Sequence, residues 1–132
     1  MPKNILLVII ATFLLFTACK KDEGIGGKAT ITGKIFQQNY DNGGNLVSGF
    51  YVPEIRVYIS YGNTNYYDND VRTGPDGNYE FRGLREGKYS VFTYSQQSPL
   101  CGICPDLVVK KEITIDTKKQ IAEVADIVID KY

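Results

Sequence analysis

Thr73–Val91 reads TGPDGNYEFRGLREGKYSV, and the fold of the whole chain turns on this stretch. Gly74-Pro75-Asp76-Gly77 is turn chemistry. Pro75 pre-sets its own φ, Asp76 can hydrogen-bond its local backbone, and Gly77 tolerates a positive φ. Beyond the turn, Tyr79 and Phe81 point one way while Asn78, Glu80 and Arg82 point the other, because strand side chains alternate with period two. Leu84 and a second short turn, Arg85-Glu86-Gly87-Lys88, come next, with Gly87 as its left-handed residue. Tyr89, Val91 and Thr93 then resume the alternation. The stretch predicts two antiparallel strands joined by a short loop, each with one apolar and one polar face. None of its residues is an obvious catalyst.

The same grammar extends in both directions. Ala29, Ile31, Gly33 and Ile35 alternate with Thr30, Thr32 and Lys34 in a first strand. Gln37–Gly49 is polar and rich in Asn and Gly, and reads as a long loop. Ile55, Val57 and Ile59 form a second strand, and Tyr66–Arg72 a shorter, more polar strand at an edge. Leu107–Asp116 and Ile121–Tyr132 close the chain, the latter with Ala125, Ile127 and Ile129 inward. Beyond the leader no segment holds a 3.6-residue period over ten residues. About seven short strands separated by regular turn signals predict an all-β sandwich. Its expected core comprises Ile31, Ile35, Val57, Ile59, Tyr79, Phe81, Leu84, Tyr89, Val91, Ile127 and Ile129.

The N-terminus suggests where the domain works. MPKNILLVIIATFLLFTAC has Lys3, an apolar run from Ile5 to Phe16, and small residues before Cys19. The run is short for a membrane span, which takes about 20 residues, and suits a secretory signal. Phe16-Thr17-Ala18-Cys19 resembles a bacterial lipobox, with Phe16 in place of the usual Leu. That resemblance implies cleavage after residue 18 and acylation of Cys19. Lys20-Lys21-Asp22-Glu23 resembles the surface-export tract of Bacteroidetes lipoproteins. The expected organisation is therefore a signal peptide over 1–18, a lipidated flexible tether over 19–27 and a domain over 28–132. The chain has 15 Lys and Arg against 15 Asp and Glu. Such neutrality argues against nucleic acid and against an electrostatic membrane surface. Acyl chains on Cys19 would supply membrane affinity. The expected location is the outer membrane, with the domain periplasmic or surface-exposed.

Thr32-Gly33-Lys34-Ile35, then Pro53-x-x-x-Val57-x-Ile59, then Gly77-x-Tyr79-x-Phe81-x-x-Leu84-x-x-Gly87-x-Tyr89-x-Val91 together resemble the carboxypeptidase regulatory-like domain. This resemblance implies a seven-stranded, Greek-key, transthyretin-like (prealbumin-like) sandwich. It also implies a non-catalytic module, since the zinc carboxypeptidase that such domains accompany is absent from the chain.

A search for chemistry is consistent with that expectation. The chain contains no histidine, which removes Ser-His and Cys-His pairs, the commonest general base and most zinc sites. There is no P-loop and no dinucleotide fingerprint. Cys101-Gly102-Ile103-Cys104 has redox spacing but lies in a loop bracketed by Pro99 and Pro105, with no helix start to stabilise a thiolate. An oxidising compartment favours a disulfide there. Asp68, Asp70 and Asp76 could offer oxygen ligands to calcium, although turn formation explains such residues more often. Tyr58, Tyr66, Tyr67 and Tyr94 lie in or beside polar, Asn-rich segments and form a candidate ligand face, for sugar rings or for a protein. The expectation is a non-catalytic, cofactor-free, lipid-anchored envelope module with a structural or protein-interaction role. The alternative is a glycan-binding accessory lipoprotein of a polysaccharide-uptake system.

Overall fold

The computed structural model of the chain describes residues 22–132. Cys19, the leader and the first residues of the expected tether lie outside the described residues. Nine strands make up the domain: β1 (Ile25–Tyr40), β2 (Leu46–Tyr51), β3 (Arg56–Tyr61), β4 (Asn69–Arg72), β5 (Asn78–Leu84), β6 (Gly87–Ser95), β7 (Leu107–Ile115), β8 (Ile121–Glu123) and β9 (Ile127–Lys131). One short 3-10 turn spans Pro99–Cys101. Two sheets form a sandwich. One is five-stranded and built on β1; the other has the order β4-β3-β6-β7 and is antiparallel throughout.

The long strand β1 organises the first sheet. Its earlier half pairs with β5 antiparallel and with β8 parallel. Its later half pairs with β2 antiparallel and β9 parallel. Along β1 the buried positions are Ala29, Ile31, Gly33, Ile35 and Gln37, a strict period of two that aims one face at the other sheet. Ile31, Ile35, Val57, Ile59, Val91 and Ile127 are fully buried, and Tyr79, Phe81, Leu84, Tyr89 and Ile129 nearly so. They form one continuous core with Ala29, Val52, Ile115, Ala122 and Val124.

Several local expectations give way to tertiary structure. The strands of the Thr73–Val91 stretch do not pair with each other. β5 bonds to β1, whereas β6 bonds to β3 and β7, so the turn between them carries the chain from one sheet to the other. Both strands keep the predicted alternation, since an inward face is required on either sheet. Gln37–Gly49 is not a loop. β1 continues to Tyr40 and returns as β2 around a turn in which Asp41 accepts hydrogen bonds from the backbone of Gly43 and Asn45 (2.9 and 2.8 Å). Those bonds, Asn45 foremost, hold the Asp41 carboxyl below its usual range. Low strand propensity is overridden here because β9 supplies a ladder for β1.

The expected boundary at residue 28 is also corrected. β1 already begins at Ile25, and Gly24 is bonded from both sides. Its N–H donates to the Tyr89 hydroxyl (3.0 Å), and its carbonyl accepts from the Arg85 backbone (2.8 Å). The Tyr89 hydroxyl donates onward to the Arg85 carbonyl (2.8 Å). The segment from residue 22 is therefore docked on the domain and is no free spacer. The closing segment breaks in two, and Ala125 is exposed while Ala122 and Val124 are buried. These changes bring the strand count to nine in place of the seven that turn signals predict.

Candidate functional site

The outer face of the four-stranded sheet carries the candidate site. On this face the register sets Asp70, Tyr58, Phe92 and Lys110 side by side across β4, β3, β6 and β7, with Tyr94 beside Val108 in the next row. Alternation along β6 forces this arrangement, since Tyr89, Val91 and Thr93 are buried and so Phe92 and Tyr94 must face out.

Tyr58 is the hub of an aromatic cluster. Its ring stacks on Phe92 (centroids 5.2 Å apart, planes at 16°). It meets Tyr67 (4.9 Å) and Tyr94 (5.6 Å) edge-on. Such pairs fix ring orientation beyond simple burial. Tyr67 comes from the β3–β4 loop, which is held tightly. The Ser60 and Thr64 hydroxyls donate to the Tyr66 carbonyl (2.6 and 3.0 Å), and the Tyr61 N–H donates to the Asp68 carboxylate (2.7 Å).

The loop and sheet enclose an open groove of about 270 Å³, lined among others by Asn65, Tyr66, Tyr67, Phe92, Tyr94 and Lys110. It lies just below the usual range of small-ligand sites, about 300–1,000 Å³. Tyr66, Tyr67 and Tyr94 remain 66%, 53% and 45% exposed, so their rings are available for contact. The structure thus brings together all four tyrosines of the expected ligand face. It adds Phe92, which sequence reasoning missed although its alternation with Thr93 already placed it beside Tyr94.

The other candidates fall elsewhere. Asp68 is engaged with the Tyr61 backbone, Asp70 lies 3.4 Å from Arg56, and Asp76 is exposed in the turn before β5. Among the described residues no group of three or more His, Cys, Asp or Glu is placed to hold a metal ion. Cys101 and Cys104 are joined in a disulfide, Cα atoms 6.0 Å apart, at the end of the 3-10 turn. Ile103, between them, is fully exposed. A separate apolar surface lies on the β1–β2 arm. β2 pairs with β1 alone, and Leu46, Val47 and Phe50 are exposed along it.

No family model matches the chain, and no curated protein matches it in sequence. Among solved structures, a suspected carbohydrate-binding protein from Pseudomonas aeruginosa is similar at 14% identity. The match covers 82% of this chain and 91% of that one, with a TM-score of 0.49. (S)-allantoin synthase is similar at 13% identity over 76% of this chain, with a TM-score of 0.39, and the match spans 41% of that enzyme's chain.

Proposed function

We propose that this chain is a non-catalytic, lipid-anchored module of the outer membrane that binds a glycan in the aromatic groove. The observation that carries the reading is the Tyr58–Phe92 stack flanked by the exposed rings of Tyr67 and Tyr94, with Asn65 and Thr64 at the rim. The apolar face of a pyranose stacks on such rings, while the amide and hydroxyl can bond sugar hydroxyls. The lipobox resemblance at Cys19 supports the anchor, and the motif between Gly77 and Val91 supports membership of the carboxypeptidase regulatory-like family. An accessory role in polysaccharide uptake fits both.

A glycan array is the direct test. Binding should be lost or weakened at least tenfold in Tyr67→Ala and Tyr94→Ala, with thermal stability retained because both side chains are exposed. An array with no hits, or hits untouched by both substitutions, overturns the glycan reading. The anchor is tested separately. Cys19→Ala should release the protein from membranes or leave the precursor uncut, and a soluble wild-type protein with a different mature N-terminus refutes it.

The β1–β2 arm favours a second reading, a protein partner that adds a strand to the free edge of β2 over Val47 and Phe50. Val47→Lys should abolish capture of such a partner and leave glycan binding intact.

A further inference from the structure

We propose that the end of the domain nearest the anchor contains a second site, which takes the phosphate of a membrane-lipid headgroup. The inference rests on the lipid-anchor reading for its geometry, and on the cavity itself for its chemistry.

The geometry follows from the docked N-terminal segment. Tyr89 and Arg85 hold Gly24, and Arg85 Nη1 reaches the Asp22 carbonyl (3.4 Å). Only the chain from Cys19 to Asp22 is then left to span the distance to the bilayer. Three residues reach at most about 11 Å when fully extended. Whatever surface surrounds Asp22 is therefore kept at headgroup level.

Arg85, which holds Asp22, also lines a cavity of about 610 Å³ with Lys28, Lys118 and Lys119 on its walls and Glu86 as its one acid. None of the four cations makes an ion pair among the described residues, where the pairs involve Arg56, Arg72, Arg82 and Lys110. Arg85 Nε is buried and has no hydrogen-bond partner among those residues. A cavity walled by one guanidinium and three ammonium groups, none of them in an ion pair there, suits a phosphate, whose oxygens accept charge-assisted hydrogen bonds from both kinds of donor.

The walls are built elements. The register of β1 on β5 slips between Ile25 and Ala29, so Gly26, Gly27 and Lys28 bulge into the wall with no side chain on the first two. The Lys118-Lys119 turn is fixed by Gln120. Its side chain accepts from the Asp116 N–H (2.7 Å), and its carbonyl accepts from the Thr30 N–H (2.9 Å). Near-neutral overall charge hides this site, because the cations are concentrated where an anionic bilayer surface would lie.

The test uses the exported, processed protein in polyoxyethylene-ether micelles, followed by amide NMR. Dihexanoyl phosphatidic acid should shift the Gly26, Gly27 and Lys119 amides saturably. Dihexanoyl phosphatidylcholine and inorganic phosphate should bind at least tenfold more weakly. Lys118→Gln with Lys119→Gln should weaken phosphatidic acid at least tenfold, and Lys131→Gln, exposed at the opposite end of β1, should not. No saturable shift, or equal loss with Lys131→Gln, overturns the site. Inorganic phosphate binding as tightly as the lipid overturns the lipid assignment in favour of free phosphate. Mass spectrometry of the same preparation reports acylation of Cys19, so failure of the anchor is read independently of failure of the cavity.

Discussion

Replacing Tyr79 with Phe should stabilise the protein, and the size of the gain can be worked from its surroundings. Tyr79 is 2% exposed, and its ring lies across Gly33, its cross-strand partner, where any Cβ would collide with the phenol. The hydroxyl has no hydrogen-bond partner among the described residues. A buried polar group left unsatisfied costs about 1–3 kcal/mol. Removing the oxygen leaves a void of about 15 Å³, which costs about 0.4 kcal/mol at about 24 cal/mol per Å³. Tyr79→Phe should therefore gain about 1–2 kcal/mol at neutral pH, read by urea denaturation with far-UV circular dichroism.

The alkaline limb gives an independent measure. Burial first, and then the charge of Asp126, push the Tyr79 phenol well above its ordinary value. In the unfolded chain it titrates near about 10. Above that pH the unfolded state has lost a proton that the folded state keeps, so stability falls as pH rises, by about 1.4 kcal/mol per pH unit for this one group. Tyr40, Tyr51, Tyr61 and Tyr89 are shifted the same way, but they remain in both proteins. The gap between variant and wild type should be constant below pH 10 and widen above it. A loss of 1 kcal/mol or more at neutral pH would refute the reasoning by showing that the hydroxyl is satisfied, and parallel alkaline limbs would refute it by showing that the phenol ionises as readily in the folded state as in the unfolded one.

Phe81→Ala should cost about 3–5 kcal/mol, as a nearly buried core aromatic does; a shift below 1 kcal/mol in the same denaturation assay would contradict its place in the core. Changing Cys101 and Cys104 together to Ser opens a ring with a sequence separation of 3, so stability should fall by about 2 kcal/mol or less. Neither variant nor wild type should reduce insulin, and turnover by the wild type alone would mean that the disulfide is a redox catalyst. Gly77→Ala should destabilise by more than 1 kcal/mol in chemical denaturation. Gly77 has φ 70°, and its Cβ would press on the Ile35 carbonyl at 2.8 Å.

What the sequence determined by itself was the inward face of β3, β5, β6 and the earlier half of β1. Period-two alternation at Ile31–Ile35, Val57–Ile59, Tyr79–Phe81 and Tyr89–Val91 leaves one way to bury apolar surface, whichever sheet each strand joins. The four tyrosines of the expected ligand face were legible from their polar, Asn-rich surroundings, and Tyr66, Tyr67 and Tyr94 line the groove while Tyr58 packs against two of them. Partners were not legible, because a strand's pattern states which face is buried and not which edge is paired. Only the tertiary structure separated β5 from β6, turned the Gln37–Gly49 segment into an arm against β9, and docked Gly24 beneath Tyr89. Each depends on hydrogen bonds between residues far apart in the chain, and backbone N–H and C=O groups are alike in every residue but proline. The cationic cavity was hidden on the same account. Lys28, Arg85 and Lys118-Lys119 stand in three separate stretches, and the pairing of β1 with β5 and β8 brings them together.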